Sequence, residues 1–143
     1  MVNKQGQTRL AQYYETLSIT EKSALEGEII RKCLIRGESL CSFIEYQSYK
    51  IVYSRYASLY FIVGVDKDEN ELGIVEFVRN IVETMDQYFE SVCELDIMFN
   101  IDKAHFILDE MVTNGEIAEA NKANVLRPIQ TLDKYVQKWL SRI

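Results

Sequence analysis

Residues 59–89 read LYFIVGVDKDENELGIVEFVRNIVETMDQYF, and the change of pattern inside this stretch decides the fold. Leu59 to Val65 is apolar at almost every position, which predicts a buried strand covered on both faces rather than one with a wetted side. The polar stretch Asp66 to Asn70 ends it, and Asn70 is placed to cap a helix. From Glu71 to about Phe89 the apolar residues recur at helical spacing on two sides. Val75, Val78, Val82, Met85 and Phe89 form one stripe; Ile74, Phe77, Ile81 and Tyr88 form a second. A helix apolar on two sides is sandwiched. In so small a domain the second stripe is expected to be partly exposed and to face a protein partner.

Upstream, Phe43-Ile44-Glu45-Tyr46 and Tyr49-Lys50-Ile51-Val52-Tyr53 are aromatic and β-branched, with Gln47-Ser48 as a hairpin loop between them. Ser18-Ile19-Thr20-Glu21 has the form of a capping box: the serine hydroxyl accepts from the Glu21 N–H and the carboxylate reaches back. Leu25, Ile29 and Cys33 follow at four-residue spacing, with Gly37 as the expected helix stop. Gln5-Gly6-Gln7 reads as a turn leading into a strand over Thr8 to Tyr14. Downstream, a helix is expected from about Asp102 to Asn114, closed by Gly115, and a last helix from near Asn121, with Pro128 as a kink or restart. No low-complexity linker or internal repeat divides the 143 residues. The expectation is one α+β domain, residues 1–143, with an antiparallel sheet.

Sixteen basic residues against 22 acidic ones, scattered among each other, leave a net charge of -6. Nucleic acid is therefore not an expected partner, because a phosphate backbone needs clustered Lys and Arg. The absence of a polybasic run equally disfavours direct docking on anionic lipid, so any membrane association is expected to be indirect. The start, MVNKQGQ, has no apolar signal core. Cys33, Cys41 and Cys93 have no C-x-x-C spacing and read as reduced cytosolic thiols packed in the fold.

Catalytic chemistry has little to stand on. The sole histidine, His105, lies inside a helical pattern, and no nucleophile elbow, zinc motif, phosphate loop or dinucleotide fingerprint occurs. Asp66-x-Asp68-x-Asn70 starts like a calcium loop, but Glu71 stands where that loop needs glycine and Phe77 where it needs a carboxylate. No cofactor or metal is expected, and no enzymatic activity.

The strings MVNKQGQTRLAQYY (from Met1), FIEYQSYKIVYSRYASLYFIVGVD (from Phe43), VCELDIMFNIDKAHFILDEM (from Val92) and NGEI (from Asn114) resemble the sigma, or small, subunits of clathrin-adaptor-type vesicle coat complexes. MVNKQGQTRL and CELDIMFN look most like the sigma subunit of the fourth adaptor complex. The resemblance implies a longin-like fold, with a five-stranded antiparallel sheet between helices. It also implies a heterotetramer with a large adaptin as direct partner, a second large adaptin and a medium subunit. The implied setting is cytoplasmic, peripheral on trans-Golgi network and endosomal membranes. Such relatives carry further apolar residues before the segment matching Met1-Val2-Asn3, so the first strand is expected to be truncated here and Met1 not to be the biological start.

Family members that read cargo bind acidic dileucine sorting signals, an acidic residue followed after three positions by Leu-Leu or Leu-Ile. The resemblance places the apolar pocket on Ala57, Leu59, Val82, Val92 and Ile97. It places the contact to the acidic residue on Arg9 and the peptide-backbone contact on Ser91, where other members can carry an amide. Leu59, Val82 and Ile97 would equally be core residues in any fold of this kind, and Arg9 a solvated strand arginine. Ser54 precedes Arg55 where the family usually has a basic pair, which weakens a positive rim. The competing readings are another longin-type trafficking protein, which would need a C-terminal heptad segment, and a small α/β enzyme.

Overall fold

Alternation along the strands places helices on both sides of one antiparallel sheet. The computed structural model describes residues 1–36 and 42–143. Its elements are β1 (Val2–Asn3), α1 (Ile19–Ile35), β2 (Ser42–Tyr46), β3 (Tyr49–Tyr56), β4 (Leu59–Asp66), α2 (Glu71–Phe89), α3 (Glu94–Phe99), α4 (Ile101–Met111), β5 (Val112–Thr113), β6 (Glu116–Ile117) and α5 (Lys122–Leu140). The main sheet runs β1-β4-β3-β2, antiparallel throughout, and β5-β6 is a separate hairpin. Val52, Leu59 and Phe61 enter a core shared with α2, α4 and α5. Ile51, Tyr53 and Tyr60 enter a second core with Cys33, Ile29, Ile30 and Leu34 of α1. The fold class is thus the expected α+β.

The segment that decides the fold behaves largely as its pattern predicts. β4 is covered on both faces at its start, where Leu59, Tyr60 and Phe61 are buried, but Gly64 and Asp66 near its end are exposed. The strand leaves the core after its first half. α2 spans Glu71–Phe89, and the Asn70 side chain accepts from the Gly73 N–H at 3.2 Å. That carboxamide is committed to a helix cap. The Ser18 capping box is formed in both directions, at 3.2 and 2.8 Å, and the Gln47-Ser48 hairpin joins β2 to β3 in register.

Several expectations need correction. Ile74 and Ile81 are buried in the main core, whereas Phe77 and Tyr88 are packed against it but only half-buried, so the second stripe of α2 is open in part only. Ala104, Ile107 and Leu108 of α4 and Val125, Leu126 and Ile129 of α5 share the core with Ile74 and Ile81. The main sheet has four strands among the described residues, not five. Thr8–Tyr14 makes only the single bridge Val2↔Thr8, because β1, the strand it would pair with, is two residues long here.

The helix expected over Asp102–Asn114 runs Ile101–Met111 instead. Asn114 and Gly115 have φ of 51° and 82°, the two positive values that a tight hairpin turn requires, and so they join β5 to β6 rather than close a helix. Pro128 lies inside an unbroken α5. It removes one intrahelical bond, but Val125, Leu126 and Ile129 on either side of it are buried, and that burial holds the helix together. Gly37 and Cys41 lie outside the described residues. Cys33 is buried, which pushes its thiol up to about 11.

Candidate functional site

α5 starts at an Asn121 cap whose side chain accepts from the Ala123 and Asn124 N–H groups. Its first half is fastened to the domain. Val125, Leu126 and Ile129 are buried, Lys122 pairs with Glu83 of α2, and Asn80 of α2 donates to the Ala120 carbonyl at 2.8 Å. Asp133 is the last anchor: it accepts from the Tyr88 hydroxyl at 2.7 Å and from Lys103 at 2.9 Å. The bond to Asp133 raises the Lys103 ammonium above its ordinary value.

The same apolar face then continues away from the core. Leu132, Tyr135, Val136, Trp139, Leu140 and Ile143 are 51–85% exposed. The spacing of Leu132, Tyr135, Val136, Trp139 and Leu140 puts them on one side of the helix, with Ile143 just past its end, and a row of this size with two aromatic residues is characteristic of a protein interface. A kink or restart expected at Pro128 hides the continuity of this face in the sequence. The signal was present in apolar residues recurring at three- and four-residue steps from Val125 to Ile143.

The residues assigned to a cargo pocket divide into a buried set and a rim. Leu59 and Ile97 are 0% exposed, Val92 1% and Val82 9%, all within the main core. These side chains are packed by the chain's own core. Ala57 is exposed in the β3–β4 turn with φ of 53°, at the edge of this cluster rather than in it. Ser91 is exposed in the α2–α3 connection with φ of 76°.

Asp86 holds the two rim segments together. Its Oδ1 accepts from the Tyr56 hydroxyl at 2.6 Å and from the Val92 N–H at 3.1 Å, which raises the Tyr56 phenol above its ordinary value. Sequence reasoning passed over Asp86. Its signal was a carboxylate in the last turn of a helix, where the helix dipole disfavours it unless donors are supplied.

Arg9 is paired. Its Nε donates to Glu94 Oε1 at 2.8 Å and its Nη2 to Gln7 Oε1 at 2.9 Å. Glu94 Oε1 also accepts from Asn3 Nδ2 at 2.9 Å. Hydrogen bonds from Asn3 and then Arg9 hold the Glu94 carboxyl below its ordinary value. Neither Asn3 nor Glu94 was singled out from the sequence.

The comparisons with known proteins agree with this architecture. The model of the clathrin adaptor complex small chain matches residues 1–136. Over 134 residues the chain is 67% identical to AP-4 complex subunit sigma of Arabidopsis thaliana, covering 94% of each chain. It is 56% identical over 134 residues to AP-4 complex subunit sigma-1 of Homo sapiens, covering 94% of this chain and 93% of that one. A chain of a homology model of the full-length AP-3 complex in a stretched open conformation superposes with a TM-score of 0.73. Its identity is 26%, over 99% of this chain and 95% of that one.

Proposed function

The chain belongs to the clathrin adaptor complex small chain family, and on that premise we propose that it is the small subunit of a heterotetrameric coat of the fourth-complex type. On this reading it packs into the solenoid of one large adaptin, beside a second large chain and a medium chain, and stabilises that core. The observation that carries the reading is the exposed face of α5, from Leu132 to Leu140. A helix half buried in its own domain and half apolar in solvent needs a second surface to cover it. No helix among the described residues is long and apolar enough to cross a membrane. The chain would reach the cytoplasmic side of trans-Golgi network and endosomal membranes through its complex.

The second part of the proposal is an acidic dileucine site. Leu59, Val82, Val92 and Ile97 form its wall, Ala57 and Ser91 its rim, and Arg9 its basic contact. The leucine pair would dominate affinity, since each buried leucine contributes roughly 1.5–3 kcal/mol against about 0–1 kcal/mol for an exposed charge pair. Part of that gain is spent on opening a core that is packed shut. Titration of a signal peptide against the assembled complex tests this. Replacing the Leu-Leu pair with Ser-Ser should weaken binding by more than about 100-fold. Equal binding of both peptides would place the cargo site elsewhere.

A further inference from the structure

We propose that Glu94 is a specificity-determining residue of the signal site, an internal stand-in that occupies the Arg9 guanidinium in place of the signal's acidic residue. The inference rests on the dileucine reading above and concerns how that site ranks its ligands. Arginine grips a carboxylate best with two parallel N–H donors along one edge. On Arg9 the edge formed by Nε and Nη2 is already given to Glu94 and Gln7, at 2.8 and 2.9 Å. A carboxylate arriving with a peptide must displace them or take the far edge, Nη1 with the second Nη2 hydrogen, of a guanidinium whose charge Glu94 already balances.

Displacement has no evident gain. One carboxylate would replace another on the same guanidinium, so the number of ion pairs is unchanged. Glu94 would lose Arg9, and the shared network around it would be disturbed. That network is anchored by Asn3, which is only 1% exposed. Asn3 Nδ2 donates to Gln7 Oε1 at 2.8 Å and to Glu94 Oε1 at 2.9 Å, and its Oδ1 accepts from the Gln5 and Gln7 N–H groups at 3.1 and 2.8 Å. Both donors and both acceptor positions of the amide are used. Glu94 is therefore positioned from beneath by a saturated buried side chain, unlike a loose surface pair. Being part of the same chain, it also competes at a high effective concentration. With the Arg9 charge already matched by Glu94, the native site ranks peptides by their leucines and is nearly indifferent to the acid.

Two peptides, identical except for Glu or Gln at the acidic position, test this by titration against the assembled complex. The native complex should bind them within about two-fold of each other. Glu94→Gln should tighten the Glu peptide roughly two- to five-fold, the range of a solvent-accessible ion pair, and leave the Gln peptide unchanged. Glu94→Ala should act in the same direction, and adding Arg9→Ala to either variant should erase the gain. If the native complex already prefers the Glu peptide by far more than two-fold, or if neither Glu94 variant gains preference, the stand-in role is overturned while the dileucine site remains. If neither peptide binds an intact complex of any variant, the dileucine site itself is wrong and the role of Glu94 falls with it.

Discussion

A Tyr135→Asp, Trp139→Asp double variant is expected to fold normally and to lose its large adaptin partner. Both side chains lie on the outward face of α5 and are 68% and 65% exposed, and they have no place in the core of the chain. Changes at such positions generally move stability by no more than about 0.5 kcal/mol. At an interface the same side chains would act very differently, because buried aromatic anchors cost about 2–4 kcal/mol each when removed, and two carboxylates without partners add a desolvation cost. The combined loss corresponds to a weakening of at least roughly 1,000-fold. Pull-down through a tag on the chain, alongside its circular dichroism spectrum, separates the two effects. Undiminished retention of the large chain by the double variant would mean that another surface makes the interface.

Val82→Asp should produce the second large effect, and the effect should be on folding. Val82 is 9% exposed and shares the main core with Leu59, Val92 and Ile97. A carboxylate there would be buried without a partner, at a cost of several kcal/mol, against the roughly 5–15 kcal/mol that holds a domain together. Val82→Ala, which only removes methyl groups, should cost about 1–3 kcal/mol. Thermal melts of the two variants should therefore differ widely, with Val82→Asp largely lost from the soluble fraction. If Val82→Asp melts like the native chain and only peptide binding is lost, Val82 lines a pocket already open to water. The leucine site would then be preformed rather than closed.

What could be read from the residues, and what could not, follows from how local each signal is. α2 runs from Glu71 to Phe89 as expected, because its cap, its period and its polar entry turn all lie within adjacent residues. The capping box at Ser18 and the hairpin at Gln47-Ser48 are legible for the same reason. Thr8–Tyr14 has the composition of a strand but makes a single bridge, since a strand depends on a partner and β1 offers two residues. Gly115 after Asn114 reads as the close of a helix, although the adjacent β-branched Val112 and Thr113 favour the hairpin that forms.

The candidate site shows the same division. Leu59, Val82, Val92 and Ile97, which the resemblance assigns to a pocket, all lie in the main core. Whether they line a space or fill one depends on packing that no spacing encodes. The second stripe of α2 is only partly open for a related reason: Ile74 and Ile81 are buried in a core shared with helices that come later in the chain. The exposed side of α5 emerges only when the burial of Val125 and Ile129 is set against the exposure of Val136 and Trp139. Arg9 meets Glu94 across 85 residues of sequence, a separation at which one sequence carries no sign of contact.

Membership of the complex is tested most directly by the mass and stoichiometry of what the tagged chain retains under native conditions. The expected result is one assembly containing a single copy of this chain, two large adaptins and one medium subunit, lost when Tyr135 and Trp139 are replaced. Recovery of the native chain only as a free, monodisperse monomer, with no large adaptin attached, would contradict it.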